Sequence, residues 1–227
     1  MTNILLSLRS FNDESIYHSL SKIIKKEMKV AVLVYSFFEM FCPTKEIYES
    51  YYEEGKEYYQ KILESFSVFG IDSKQLLWID YYKDSQETAI KKLEQADVIY
   101  LPGGAPDEMM ERIKEKALLS ALNDPQKIYV GVSAGAMIQL GLFHISVDHE
   151  YPKFGLYDGL GHVNDLFIEV HYRRRRKQKS SLRYMHRTYK KPIYIIPNEG
   201  GLIIKDGKVT CIGNAKLFYD KKGIVRS

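Results

Sequence analysis

Thirteen residues near the middle of the chain, IYVGVSAGAMIQL (128–140), restrict the fold more than any other stretch. The first five are apolar and rich in β-branched and aromatic residues, as in a strand buried on both faces, and the run after Ser133 is helix-capable. No connecting loop separates them. The chain must therefore reverse within Gly131-Val132-Ser133-Ala134-Gly135, and so tight a turn needs glycine-sized residues where strand and helix close on each other. A strand that passes straight into a helix belongs to a parallel α/β sheet.

The first two thirds of the sequence keep the same rhythm. Ile4–Leu8, Val30–Tyr35, Leu76–Asp80 and Val98–Leu101 read as strands. Between them lie amphipathic runs. The first carries Ile16, Leu20, Ile23 and Ile24. A single long helix is predicted from an N-cap at Thr44 to a stop at Gly70, its stripe marked by Ile47, Tyr51, Tyr58, Ile62 and Phe66. Ser85–Gln95 has acids early and lysines late, matching a helix dipole, and Pro106–Leu122 is a further helix. After Leu142 the rhythm breaks into a loop punctuated by Gly155, Gly159 and Gly161, followed by a strand at Leu166–Val170. The tail is β: Ile193–Ile196 and Gly201–Ile204 flank Pro197-Asn198-Glu199-Gly200, and Asp206-Gly207 signals a hairpin before Lys208–Ile212. No linker or repeat divides the chain. The expected fold is one α/β domain over residues 1–227, an open, mostly parallel sheet flanked by helices with a C-terminal β-hairpin.

Composition narrows the setting. With 45% hydrophobic and 27% charged residues in 227, the chain can bury a substantial core. Cys42 and Cys211 cannot form a disulfide framework, no apolar run is long enough to span a bilayer, and Ile4-Leu5-Leu6 is too short for a signal-peptide core. A cytoplasmic protein with no membrane partner is expected. The net charge of +4 conceals an asymmetry, because residues 171–191 hold ten of the 33 Lys and Arg and no acid, leaving 23 basic against 29 acidic residues elsewhere. An acidic body with one basic segment points to an anionic substrate or partner.

The pentapeptide fits G-x-S-x-G in the strand–turn–helix context that gives the pattern meaning, with Ser133 as nucleophile and the Ala134 amide aimed at a developing oxyanion. A second donor should come from the neighbouring strand-to-helix turn Leu101-Pro102-Gly103-Gly104, where Gly104 can turn its N–H inward beside Gly103. A serine hydroxyl needs a base. Of six histidines, His171 is favoured because it ends the apolar strand LFIEV and can be held rigidly; His149 is second, ahead of His18, His144, His162 and His186. No H-E-x-x-H or C-x-x-C pattern occurs, so neither metal nor cofactor is expected.

The run VIYLPGGAPDEMMERIKE followed by IYVGVSAGAMIQ resembles the peptidase E and cyanophycinase family of serine peptidases. Support comes from Tyr157-Asp158-Gly159-Leu160-Gly161 and Glu169-Val170-His171-Tyr172, and the resemblance extends from the N-terminal strand to the final hairpin, nearly the whole chain. It implies a class I glutamine amidotransferase-like fold and agrees on His171. It also implies an aspartate about fifteen residues past the serine, the spacing of Asp148, with Glu150 and Asp165 as rivals by proximity. Glu199 resembles part of a family Pro-Glu-Gly element that supports the triad or the substrate. Only 38 positions separate Ser133 from His171, too few for the βα units an α/β-hydrolase inserts there, and a glutamine amidotransferase would need cysteine at the elbow.

Arginines beside the base could clamp a carboxylate in two-pronged fashion, which makes Arg175 and Arg176 candidate substrate ligands. A solvated basic face and a nucleic-acid surface are alternatives, the latter disfavoured because it leaves the strand–serine–helix element without a use. The resemblance then implies an exopeptidase for small acidic peptides, most simply Asp-X, without a cofactor. A binding or regulatory protein on the same scaffold and an esterase or amidase are the other readings. Tyrosine-rich helices around Tyr51-Tyr52 and Tyr58-Tyr59 leave room for a homodimer.

Overall fold

The computed structural model describes residues 1–225. Five strands, β1 (Thr2–Leu6), β2 (Val30–Val34), β3 (Leu76–Asp80), β4 (Val98–Leu101) and β5 (Ile128–Val132), lie parallel in the order β1-β5-β4-β2-β3. Their neighbouring residues point to opposite faces, and both faces are covered. Ile4, Val30, Val32, Val34, Tyr100 and Val130 pack with α1 (Glu14–Leu20), α2 (Lys45–Tyr52) and α3 (Glu57–Ser67) through Ile16, Leu20, Tyr48, Ile62 and Phe66. On the other face, Leu5, Ala31, Leu33, Ile99 and Tyr129 meet α4 (Gln86–Gln95), α5 (Pro106–Glu115) and α6 (Ala134–Met137) through Ala89, Leu93, Met109, Ile113 and Ala136. This is the expected α/β architecture.

Three expected boundaries differ. The helix predicted from Thr44 to Gly70 is two helices, because the chain breaks at residues 53–56, where Gly55 has φ +87°. Thr44 does cap the first of them, accepting from the Ile47 amide. The helix begun at Pro106 ends at Glu115, closed by Ala117 in the left-handed region (φ +52°). The stretch read as a loop after Leu142 contains an antiparallel pair, β6 (Leu142–Ile145) and β7 (Gly155–Asp158).

Beyond it, β8 (Phe167–Val170) leads into α7 (Arg176–Tyr189), so most of the basic segment is helical. Gln178, Ser181, Leu182, Met185 and His186 form its buried stripe, at three- and four-residue spacing. β9 (Ile193–Ile196) pairs parallel with β8. β10 (Gly200–Lys205) and β11 (Lys208–Gly213) form the predicted hairpin, with positive φ at both Asp206 and Gly207, and extend the main sheet antiparallel to β1. A final strand, β12 (Lys216–Tyr219), which the sequence reading did not assign, completes a three-stranded sheet with β9 and β8. Among the described residues no helix is long and apolar enough to cross a membrane.

Candidate active site

Ser133 sits at the carboxyl end of β5, between β1 and β4, with φ +50° and ψ −109°. Holding a residue with a side chain in such a region costs about 1–3 kcal/mol. The surroundings impose it. The Ser133 amide donates to the Leu6 carbonyl (2.8 Å) and the Gly135 amide to that of Pro102 (3.1 Å). Gln139 ties the helix back to β1, donating to the Gly135 carbonyl (3.1 Å) and accepting from Asn3 Nδ2 (2.9 Å). A Cβ on Gly131 would stand 2.2 Å from the Gly135 carbonyl oxygen, and one on Gly135 only 1.9 Å from that of Leu101, so both glycines are sterically required.

The second turn is braced from β2. Gly104 has φ +144°, and a Cβ there would fall 1.8 Å from the Ser36 carbonyl oxygen. Ser36 also accepts the Ala105 amide (2.7 Å) and donates through its hydroxyl to the Gly103 carbonyl (2.8 Å). Gly103 lies against Ser133: a Cβ on it would be 3.4 Å from Ser133 Cβ. The amides of Gly104 and Ala134 donate to no group among the described residues.

His171 follows β8 directly and has φ +51°. Its Nε2 is 2.9 Å from Ser133 Oγ. Its backbone is fixed at both ends, the amide donating to Ser7 Oγ (3.0 Å) and the carbonyl accepting from Gln178 Nε2 (3.1 Å). The same glutamine accepts the Arg173 amide (2.9 Å), which closes the turn between β8 and α7. Nδ1 faces Asn198 Oδ1 at 3.1 Å. An amide oxygen at Nδ1 keeps the ring proton there and leaves the Nε2 lone pair toward the serine hydroxyl.

The acids expected at that position lie elsewhere. Asp148 is exposed and closes its own turn, its carboxylate accepting the Tyr151 amide (2.8 Å); it lines the cleft but makes no hydrogen bond with His171. Glu150 and His149 are exposed neighbours on the same loop, and Asp165 lies on a different surface. Glu199 is exposed and accepts from Asn214 Nδ2 (2.9 Å). Sequence reasoning passed over Asn198, Ser7, Ser36 and Gln178. Asn198 alone left a signal, as neighbour of Glu199 in the Pro-Asn-Glu-Gly element.

Ser133, His171 and Gly104 open onto a cleft of about 540 Å³. Phe38, Pro106 and Tyr151 give its lining an aromatic and apolar part; the Tyr151 hydroxyl donates to Asp107 (2.6 Å), and burial together with that carboxylate pushes its pKa up. Arg173 and Arg175 also line the cleft, with the carboxylates of Asp148, Glu150 and Glu169, whereas Arg176, the first residue of α7, does not. The remaining histidines are used structurally or exposed. His162 is half-buried against Tyr129, bonded to Asn3 and the Leu122 carbonyl, with its pKa lowered to about 4 by desolvation. His186 stacks on Tyr219 and meets the Asp220 carbonyl, and His18 is exposed on α1.

The model of peptidase family S51 matches residues 39–212, a span that holds both turns, Ser133, His171 and Asn198. The chain belongs to peptidase family S51. It is a serine peptidase, and so a hydrolase of peptides. Two solved structures share the fold. A putative peptidase E protein from Listeria monocytogenes EGD-e is 20% identical, with 92% of this chain and 96% of that one covered and a TM-score of 0.64. A peptidase from an acI-B1 Actinobacterium is 14% identical over 96% and 89% of the two chains, with a TM-score of 0.59. No curated protein matches the sequence.

Proposed function

We propose that this S51 peptidase is an exopeptidase that removes an acidic amino-terminal residue, most simply aspartate, from small peptides, with Ser133 as nucleophile and His171 as general base and acid. The observation that carries the reading is the 2.9 Å contact from His171 Nε2 to Ser133 Oγ at a strained turn facing a cleft. Ser133 Oγ attacks the scissile carbonyl carbon while its proton passes to Nε2. The oxyanion is met by the amides of Gly104 and Ala134, which have no other partner among the described residues. Collapse breaks the C–N bond, and His171 returns the proton to the leaving amine. Water then attacks the acyl ester, with Nε2 taking its proton, and the acid leaves as Ser133 is regenerated.

In this scheme Asn198 takes the orienting role expected of Asp148. Its oxygen holds the Nδ1 proton in both steps, but being neutral it offers the imidazolium no opposite charge. Arg173 and Arg175, the arginines that line the cleft, give the acidic side chain its counter-charge, so Arg173 replaces Arg176 in the substrate role.

The test is hydrolysis of Asp-Ala, Glu-Ala, Ala-Ala and β-aspartyl-Arg by wild type and Ser133→Ala in parallel. Serine-dependent cleavage confined to acidic amino termini is expected. Turnover indifferent to Ser133, or equal turnover of Ala-Ala, overturns the proposal.

A further inference from the structure

The cleft holds a buried, hydrogen-bonded carboxylate that the hydrolytic relay does not use. Glu169 lies on β8 two residues before His171, its side chain 5% exposed. Its Oε2 accepts from Ser146 Oγ (2.9 Å) and lies 2.7 Å from Nε2 of His144, whose side chain is 1% exposed. His144 Nδ1 is buried with no partner among the described residues. A hydrogen at Nδ1 would bury an unsatisfied N–H and turn the Nε2 lone pair against a carboxylate, so the hydrogen belongs on Nε2 and His144 donates to Glu169.

Both donors therefore converge on one oxygen. Oε1 accepts no hydrogen bond among the described residues, yet it is not among the sealed, unpartnered atoms, and Glu169 lines the cleft. A carboxylate this deep is costly unless something offsets its charge, and among the described residues no Lys or Arg pairs with it. The oxygen left without a donor thus belongs to a residue that lines the cleft, where it can accept from a cation.

We propose that Glu169 Oε1 receives the free α-ammonium group of the substrate, with His144 and Ser146 as the residues that position the carboxylate. The inference rests on the proposed exopeptidase reading and assigns the residue that recognises its free amino terminus. Arginines alone would accept any acyl group bearing an anion, including one with no amine. Glu169 adds the opposite charge, so the cleft complements an amino-terminal acidic residue, which carries an ammonium group and a carboxylate close to one scissile carbonyl.

Binding separates this inference from the chemistry. Asp-Ala and its desamino analogue succinyl-Ala are titrated calorimetrically into Ser133→Ala protein, with and without Glu169→Gln. The expected result is at least tenfold tighter binding of Asp-Ala to the parent and near-equal affinities once Glu169 is neutral. Ser146→Ala removes one donor without leaving a charge in the core; it should cut the preference severalfold and serves where Glu169→Gln does not fold. Equal affinities in the parent, binding of neither ligand, or a preference untouched by either substitution overturns the assignment. An intact preference for the amine alongside wild-type protein that hydrolyses nothing would overturn only the reading of Ser133 as nucleophile.

Discussion

Ser7 Oγ accepts the amide of His171 at 3.0 Å, although 164 positions separate the two residues. The residue before it, Leu6, accepts the amide of Ser133. The end of the first strand thus holds both members of the proposed catalytic pair, and Ser7, fully buried, also donates to the Ile196 carbonyl beside β8. Ser7→Ala would leave the His171 amide unsatisfied in the turn that aims the ring. Because this contact acts on geometry and not on substrate, kcat should fall roughly tenfold or more with KM within about twofold, and stability by about 1–2 kcal/mol. Steady-state kinetics and urea unfolding check both. An unchanged kcat would show that β8 and Gln178 hold the ring without it.

Asn198 and Asp148 make opposite predictions. Removing the Nδ1 acceptor by Asn198→Ala frees the ring to adopt the wrong tautomer and should lower kcat by about 10–100-fold, whereas Asn198→Asp keeps an acceptor in place and should keep most of the activity. Asp148→Asn leaves the relay untouched and should stay within about threefold of wild type in kcat. Kinetics of the three variants on one dipeptide decide the matter. A larger loss from Asp148→Asn than from Asn198→Ala would return the orienting role to the aspartate.

The contrast shows which parts of this protein could be read from its sequence. The serine turn was legible because its constraints are local: Gly131, Ser133 and Gly135 meet one another and Leu101 within a few residues and one adjacent strand. The buried stripe of α7 and the Asp-Gly hairpin are local in the same sense. The partner of His171 Nδ1 is not, since Asn198 arrives from the β9–β10 turn only once the three-stranded sheet has formed. A search for a carboxylate also looks past an amide that presents the same oxygen. Spacing favoured Asp148, but the loop folds on itself and commits that carboxylate to the Tyr151 amide. The break between α2 and α3 was hidden because the apolar stripe runs on in phase across Gly55.

Holding Ser133 at φ +50° and ψ −109° costs stability that glycine would not lose. Ser133→Gly should therefore abolish peptidase activity and stabilise the fold by about 1 kcal/mol, a gain reduced by the greater flexibility of glycine in the unfolded chain. Ser133→Ala, which keeps a Cβ, should abolish activity without that gain. Urea unfolding of the two variants beside wild type measures the difference. A Ser133→Gly variant less stable than the Ser133→Ala variant would mean that the turn is relaxed.

His162 gives the fold an acid-sensitive joint away from the cleft. Its ring accepts from Asn3 Nδ2 at Nδ1 (3.2 Å) and donates from Nε2 to the Leu122 carbonyl (2.8 Å), an arrangement that only the neutral form satisfies. A proton on Nδ1 would face another donor in a desolvated site, and the pKa falls to about 4. In the unfolded chain the ordinary value is about 6.5. The unfolded state therefore binds more protons between these values, so the contribution of His162 is complete above about pH 6.5 and is lost as the pH falls toward 4. The loss approaches about 1.4 kcal/mol per pH unit, up to the order of 3 kcal/mol in all. His162→Gln removes the titration while keeping a polar side chain for Asn3. Its stability at pH 7 should be lower than that of wild type, and the difference should shrink progressively between about pH 6.5 and 4. Unfolding free energies that run parallel across that window would show that His162 is not the group responsible.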